Sequence, residues 1–202
     1  MSAQTGAPAR RRRRSRAETE SELLDAALRL LDRDGVLAGV NLREVAKEAG
    51  VNHGQIYQYF GSRQSLLRAA IARQMKDNQP DPARHWKLPF AARRRAMWRW
   101  SLRQRHTLKL EALLALDGDP RLVIFPALDR TRESLARDTR DGALTSEVDP
   151  EVAHAMTAAA YLGYAIFRET FARELGLPPD ELDRRAAVVY DRMVAGLRGS
   201  ED

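Results

Sequence analysis

The chain has 202 residues, 44% of them hydrophobic, which is enough for a buried core in one compact unit or two small ones. It contains no cysteine, which excludes disulfides and thiolate metal sites. Its four histidines show no ligand-like spacing, so we expect neither a metal nor a cofactor. We find no nucleophile–base set and no Gly-rich phosphate loop, and therefore do not expect an enzyme.

The net charge of +6 lies in the first third of the chain. Residues 1–76 carry 14 Lys/Arg and 8 Asp/Glu, whereas residues 77–202 carry 20 of each. This asymmetry predicts an acidic polymer, nucleic acid first, as the partner of the N-terminal part. The run Arg10–Arg14 is followed by acidic residues rather than by the apolar segment of a signal peptide. The longest uncharged apolar-rich stretch, Ala155–Phe167, has 13 residues, short of the roughly 20 of a membrane span. We expect a soluble, cytoplasmic protein with no membrane partner.

Apolar residues recur at helical spacing along almost the whole chain, and no strand alternation is convincing. The predicted fold class is therefore all-α, with about nine helices. Residues 1–15 are polar and Arg-rich, which predicts a disordered basic arm. The proline-rich stretch 78–89 is the best boundary candidate and separates an N-terminal domain, 16–76, from a C-terminal domain, 77–202.

Capping residues set the limits of the first two helices. The first begins near Ser15 or Thr19, both of which head a capping-box pattern, and Gly35 ends it. Asn41 is the predicted N-cap of the second helix, which Gly50 stops. The second helix is thus only about 12 Å long and requires a packed partner to be stable.

That partner is a third short helix, capped by Asn52 and predicted to run to about Tyr59. Two short helices joined by a turn that contains glycine match the helix-turn-helix arrangement. Ala46 and Ala49 are small enough to let the two helices cross closely, and Gly50 can adopt the left-handed conformation of the turn.

The outward face of the third helix is polar, and its N-terminal end is the part that enters a major groove in this motif. Gln side chains can read adenine edges, and tyrosine hydroxyls suit phosphate contacts. Gln55 stands three residues after Asn52, so it can alternatively complete a capping box, and Tyr57 can alternatively be packing. The predicted DNA-binding residues are Arg43, Asn52, His53, Gly54, Gln55, Tyr57, Gln58, Tyr59 and Arg63.

The stretch NLREVAKEAGVNHGQIYQYFGSRQSLLRAA, residues 41–70, resembles the N-terminal DNA-binding domain of TetR-family transcriptional regulators. The resemblance covers about residues 16–75 and implies an all-helical homodimer on a palindromic operator, most often a repressor. It further implies that the rest of the chain holds a pocket for a small-molecule effector. Two positions depart from the family pattern: Gln55 stands where a small residue is usual, and Arg63 where lysine is frequent.

Beyond the boundary we predict a basic helix over about 90–105, a helix around Leu108–Leu116, and one from Leu122 to Arg140 that Pro126 kinks or delays. The arginines of the basic helix form either a solvated face with nearby carboxylates or part of a pocket for an acidic effector; they are Arg93, Arg94, Arg95, Arg99, Arg103 and Arg105. Five residues are candidates for the effector pocket, with plain core as the alternative for each: Trp98, His106, Phe125, Met156 and Tyr161.

The last two helices are predicted to begin at Asp149-Pro150 and at Pro179 and to end near Leu175 and Leu197. Each carries apolar residues on more than one stripe, which indicates burial on both sides. We therefore predict a two-fold four-helix dimer interface. Its residues are Val152, Met156, Ala159, Gly163, Ile166, Leu182, Ala186, Val189 and Met193.

Two functions remain open: a ligand-responsive repressor, and an architectural or partner-controlled DNA-binding protein without a small ligand. A cavity on the order of several hundred Å³ among the fifth to eighth predicted helices, from about residue 90 to residue 175, would favour the first. A filled core would favour the second.

Overall fold

The structure, a computed structural model, describes residues 14–38, 41–78 and 82–199. Within these ranges the chain forms helices and no strands, so the all-α prediction is confirmed. The helices are α1 (Arg16–Ala38), α2 (Leu42–Ala49), α3 (His53–Phe60), α4 (Arg63–Asn78), α5 (Pro82–His85), α6 (Phe90–Arg103), α7 (Arg105–Leu116), α8 (Leu128–Arg140), α9 (Pro150–Glu174) and α10 (Pro179–Ala195). Apart from its last two residues, the predicted basic arm lies outside the described residues.

Two compact units make up the chain, and they divide between Ala70 and Ile71, inside α4. In the first unit the caps form as the sequence indicates. The Ser15 backbone N–H donates to Glu18 Oε2 at 2.7 Å and the Glu18 N–H donates to Ser15 Oγ at 3.1 Å, so this capping box opens α1. Thr19, the alternative start, is buried inside the helix instead.

The core of the first unit lies between α1, α2, α3 and α4. Ala46 and Ala49 of α2 are buried in this shared core, and α2 contacts both α1 and α3. Because α2 spans only eight residues, this burial, rather than helix propensity, stabilises it. The fully buried members of the cluster are Leu23, Ala26, Val45, Ile56, Leu66 and Ala70.

In the second unit α6 and α9 pack together, with α7, α8 and α10 around them. Trp98 lies at the centre of the core, stacked between Tyr164 and Tyr190 with a ring-centroid distance of 4.7 Å to each. Such aromatic contacts stabilise a core beyond the area they bury. Leu135 of α8 and Leu144 of the segment after α8 belong to the same buried cluster.

The structure corrects several details of the second unit. Pro126 delays α8, which begins at Leu128 rather than at Leu122. The short α5 forms inside the stretch that the sequence indicated as a linker. α10 ends at Ala195, two residues before the predicted end.

The interpretation of the arginines of α6 as a solvated face is wrong for two of them. Arg95 and Arg99 are exposed, but Arg93 and Arg94 are only 1% and 3% exposed. Arg93 Nη1 lies 2.7 Å from Asp138 Oδ2, and the same nitrogen donates to the Leu88 carbonyl at 2.8 Å. Arg93 is therefore a buried ion-pair residue that joins α6 to α8.

Candidate functional site

The turn between α2 and α3 has the geometry of a helix-turn-helix. Gly50 ends α2 in the left-handed conformation, with φ 65°, and its N–H donates to the Ala46 and Lys47 carbonyls. At the other end of α2, Asn41 Oδ1 accepts the Arg43 N–H at 2.9 Å. Both ends of α2 are thus closed by residues that the sequence assigned to these positions.

A capping box opens α3. Asn52 Oδ1 accepts the Gly54 N–H at 2.9 Å, and Gln55 Oε1 accepts the Asn52 N–H at 3.2 Å. Of the two roles that the sequence left open for Gln55, the structure shows the capping role. The side-chain NH2 group of Gln55 is not used by the capping box, so its two N–H donors stay available for a base edge.

The two faces of α3 differ sharply. Ile56 is fully buried and points into the core, whereas Tyr57 is 50% exposed and Gln58 is exposed. The half-buried His53 ring lies edge-on to the Tyr57 ring at 5.5 Å. This contact restrains both side chains and holds an imidazole and a phenol on the outer face of α3.

Tyr59 has a different environment from Tyr57. It is half-buried against the core, and the Arg16 guanidinium carbon lies 5.3 Å from its ring centroid. The sequence gave no signal for this cation–π contact, because Arg16 and Tyr59 come together only in the folded unit.

Gly54 has no internal packing reason to be glycine. A methyl group at this position would meet only Asn52 Oδ1, at an ordinary 3.5 Å. Glycine inside a helix costs about 0.5–1 kcal/mol relative to alanine. The absence of a side chain near the start of α3 is therefore unexplained by the contacts of the unit itself.

Basic side chains flank α3. Arg43, near the start of α2, and Arg63, at the start of α4, are both exposed. Arg14 Nη1 donates to the Ala49 carbonyl at 2.8 Å, which fixes the first described residue of the arm beside the end of α2. Seven of the nine predicted DNA-binding residues lie on α3 and its N-cap, with Tyr59 packed toward the core, and Arg43 and Arg63 are exposed on α2 and α4. The second helix of this helix-turn-helix has an exposed polar face.

This fold and face define a DNA-binding helix-turn-helix protein. Residues 23–70 match the family described as "Bacterial regulatory proteins, tetR family". Residues 23–70 thus carry a DNA-binding domain of the TetR type, and the relatives that match more of the chain are described as transcriptional regulators.

Relatives in sequence carry related descriptions. The HTH-type transcriptional regulator AcrR of Shigella flexneri is 27% identical over 201 residues, which cover 94% of this chain and 80% of AcrR. The HTH-type transcriptional regulator BetI of Rhizobium meliloti is 47% identical over 49 residues, 24% of either chain. The shorter match has the higher identity.

Solved structures share the fold over most of the chain. A TetR variant from Acinetobacter baumannii AYE, in complex with minocycline, aligns with a TM-score of 0.61 at 16% identity and covers 91% of this chain and 96% of its own. BioQ of Mycobacterium smegmatis aligns with a TM-score of 0.58 at 20% identity, covering 88% of this chain and 97% of its own. At these identities the likeness concerns the fold alone.

Of the five predicted pocket residues, Trp98, Phe125 and Tyr161 belong to one core cluster of the second unit, whereas Met156 does not. Trp98 and Tyr161 are buried, and Phe125 is half-buried with its ring edge-on to His154 at 4.8 Å. Met156, in contrast, is 66% exposed, so it lies on a different face of α9 from Tyr161. His106 is half-buried near the start of α7.

A groove of about 320 Å³ lies between the α5 region and α8. None of the predicted pocket residues lines it. Its walls are mostly polar and comprise Ala83, Trp86, Lys87, Arg130, Glu133, Ser134 and Arg137.

Most of the predicted interface residues form an exposed apolar surface on α9 and α10, which we call the α9/α10 face. Val152, Met156, Val189 and Met193 are between 57% and 66% exposed. Leu182 differs, since it is 7% exposed and belongs to the core. Of the remaining predicted residues, Ala159 is exposed, and Gly163, Ile166 and Ala186 are half-buried.

The predicted interface leaves out three large apolar residues of α9 and α10 that are also exposed, Phe167, Phe171 and Val188, at 54%, 40% and 57%. Phe167 lies beside the predicted stripe of α9 rather than on it. Within residues 14–38, 41–78 and 82–199, no helix combines the length and apolar composition that a bilayer crossing requires.

Proposed function

We propose that this chain is a ligand-responsive repressor that binds a palindromic operator as a homodimer and is released by a small-molecule effector. Residues 16–76 form the DNA-binding domain in this proposal, and residues 77–202 form the ligand-binding and dimerisation domain. Since its target is chromosomal DNA, we place the protein in the cytoplasm. The observation that carries the proposal is the free polar face of α3.

The contacts to DNA follow from this face. His53 and the free amide nitrogen of Gln55 point to base edges, because the N-terminal end of the second helix enters the groove. Tyr57 and Gln58 are exposed and suit the phosphates beside it. Gly54 supports close approach of the duplex, since the unit itself gives no reason for a missing side chain there.

The arginines on the two sides of α3 in the sequence are the residues that we expect to neutralise DNA phosphates. Arg43 and Arg63 are exposed on either side of α3, and all of the excess positive charge of the chain lies in residues 1–76. Each phosphate neutralised steepens the salt dependence of binding by roughly one unit of log K per log salt. Tyr59 contributes by holding the Arg16 guanidinium near its ring, 5.3 Å away.

The homodimer is supported by the α9/α10 face. Large exposed apolar patches on a folded protein mark interaction surfaces, and here one patch runs along two adjacent helices. A two-fold axis through this face would make a four-helix interface and would present two copies of α3. In this motif two such helices read half-sites about 34–36 Å apart.

Release by a small molecule is supported by the fold and by a relative. The TetR variant from Acinetobacter baumannii, which shares this fold, binds minocycline. The dimer would exchange between a conformation whose two α3 helices fit the operator and one whose α3 helices are spaced differently. An effector shifts this equilibrium only if it binds the second conformation more tightly than the first. We place the effector in the core of the second unit, where it could contact the helices differently in the two conformations.

A binding experiment tests the proposal. Operator fragments are selected from the source genome with the purified protein, and affinity is measured by fluorescence anisotropy at fixed salt. His53→Ala or Gln55→Ala is expected to cost about 1–3 kcal/mol on the selected operator and to relax specificity there. Tyr57→Phe is expected to weaken all sequences to a similar extent.

Arg99→Ala serves as the control, because Arg99 is exposed on α6 in the other unit. It should leave operator affinity unchanged. Unaltered affinity for all three α3 variants would refute the assigned face, and the same loss with Arg99→Ala would assign DNA contact to α6 instead.

A further inference from the structure

The interior of the second unit contains a positive charge without a negative partner. Arg94 of α6 is 3% exposed, and its Nε and Nη1 find no hydrogen-bond partner among the described residues. Those two nitrogens carry three of the five N–H donors of a guanidinium. A buried charge is ordinarily paired, because desolvation without compensation costs several kcal/mol.

The neighbouring arginine has the negative partner that Arg94 lacks, although its own Nη2 also has no hydrogen-bond partner. Arg93 is equally buried, but Asp138 lies 2.7 Å from it and the Leu88 carbonyl accepts from it. Burial lowers the pKa of Arg93, and the charge of Asp138 opposes that shift. Among the described residues, no carboxylate lies within ion-pair distance of Arg94.

The groups around Arg94 are also short of acceptors. Phe90, Arg94 and Trp98 follow one another at i, i+4 and i+8, so they form a single buried stripe on α6. Trp98 Nε1, which can only donate, is buried without a partner, and so is His154 Nδ1. The side chain of Arg94 also donates to Tyr161 of α9. This part of the core therefore has surplus donors. Glu111, a buried carboxyl that also acts on Tyr161, has a pKa that burial raises to about 7, and among the described residues it makes no ion pair with Arg94.

The two histidines near Arg94, His85 and His154, are neutral and add no further charge to this part of the core. Burial, with further contributions from the charges of Arg94 and Arg93, lowers the pKa of His154 to about 3 and that of His85 to about 4. Both imidazoles are therefore neutral at pH 7. A neutral imidazole can donate to an anion through Nδ1, depending on its tautomer.

We propose that Arg94 anchors the carboxylate of a small aromatic acid, held between α6 and α9 with its ring among the aromatic side chains there. The Arg94 guanidinium carbon lies 5.7 Å from the centroid of the Phe90 ring, and the Phe125 and His154 rings meet edge-on. A carboxylate matches the planar donor pattern of a guanidinium and supplies the missing negative charge. This inference rests on the proposed function, in that it names the chemical class of the effector.

Binding of defined acids to the full-length protein tests the site. The probes are benzoate, phenylacetate, cinnamate and 2-naphthoate, each compared with its primary amide, by calorimetry in the absence of DNA. At least one acid is expected to bind wild type at least tenfold more tightly than its amide. Arg94→Met should abolish that preference, and the exposed Arg99→Met should preserve it.

Thermal unfolding of the unliganded variants separates a ligand anchor from a structural arginine. Arg94→Met is expected to keep or raise the Tm, because it removes an uncompensated buried charge. Arg93→Met is expected to lower the Tm. A fall in Tm of more than about 6 °C for Arg94→Met, roughly 2–3 kcal/mol in a chain of this length, would show a structural partner and overturn the proposal.

The site also fails if no acid binds, if acids and amides bind alike, or if Arg94→Met retains the preference. Because the measurement omits DNA, such a failure leaves the operator proposal intact. Conversely, loss of operator binding by the α3 variants has no bearing on acid binding. Charge-selective binding that depends on Arg94 supports the site.

Discussion

Asp138→Asn is expected to destabilise the second unit strongly. Asp138 and Arg93 have side chains that are 2% and 1% exposed, and their charged groups lie 2.7 Å apart. The substitution removes the negative charge but keeps the shape, so the Arg93 guanidinium stays buried without a negative partner. Arg137, whose Nη2 lies 2.9 Å from Asp138 Oδ1, loses the same partner. Breaking a buried pair in this way costs about 3–5 kcal/mol.

That free energy translates into a large thermal shift. For a chain of 150–250 residues, 1 kcal/mol corresponds to about 2–4 °C in Tm, so Asp138→Asn should lower the Tm by about 6–20 °C. The assay is thermal unfolding followed by circular dichroism, at one fixed protein concentration because a dimer makes Tm concentration-dependent.

An exposed pair between α6 and α10 provides the matched control. Arg95 pairs with Asp191, and the side chains are 43% and 45% exposed. Asp191→Asn should cost under about 1 kcal/mol, because solvent screens such a pair. A shift of less than about 2 °C for Asp138→Asn, or equal shifts for both variants, would refute the claim that the Arg93–Asp138 pair acts as a buried ion pair.

Three further predictions follow from other parts of the structure. Gly54→Ala should raise the stability of the first unit by about 0.5–1 kcal/mol in urea unfolding while weakening operator binding; a gain in both would contradict close approach of DNA at this residue. Burial raises the pKa of Glu111 to about 7, above its unfolded value of 4.5, so the folded state holds the proton of this carboxyl more tightly than the unfolded state does. The stability that goes with the protonated carboxyl is fully present below pH 4.5 and is lost as the pH rises to 7. Glu111→Gln should therefore match wild type at pH 4.5 and exceed it by roughly 3 kcal/mol above pH 7, and a pH-independent difference would be the contrary result. Met193→Glu should weaken the dimer at least about tenfold in sedimentation, and an unchanged dimer would place the interface elsewhere.

The N-terminal unit could be predicted closely because its signals are local. Asn41 and Asn52 cap their helices through residues two or three positions away, and Gly50 ends α2 through its own backbone conformation. Such short-range patterns are complete within a few residues of sequence. The polar face of α3 follows from the same spacing, once Ile56 is assigned to the core.

The second unit was less predictable because its decisive contacts are distant in sequence. Nothing near Arg93 indicates burial, since its partner Asp138 lies on another helix. A dense run of arginines is ordinarily solvated, and that expectation failed for two of six. The sequence assigned Met156 both to the pocket and to the interface, because helical spacing alone could not decide between them. In the structure Met156 lies on the exposed side of α9.

The aromatic centre of the second unit shows the same limit. Trp98, Tyr164 and Tyr190 come from three helices, and their stacking depends on how those helices cross. Apolar periodicity marks each of them as inward-facing but does not say which residues meet.

The central claim is that a homodimer presents two copies of α3 to successive major grooves of one operator. The most direct test is binding of the selected operator after 5 base pairs are inserted between its half-sites, which turns one half-site by about half a helical turn. Affinity is predicted to fall at least tenfold and to recover with an insertion of about one full turn. Equal affinity at all three spacings would contradict the claim.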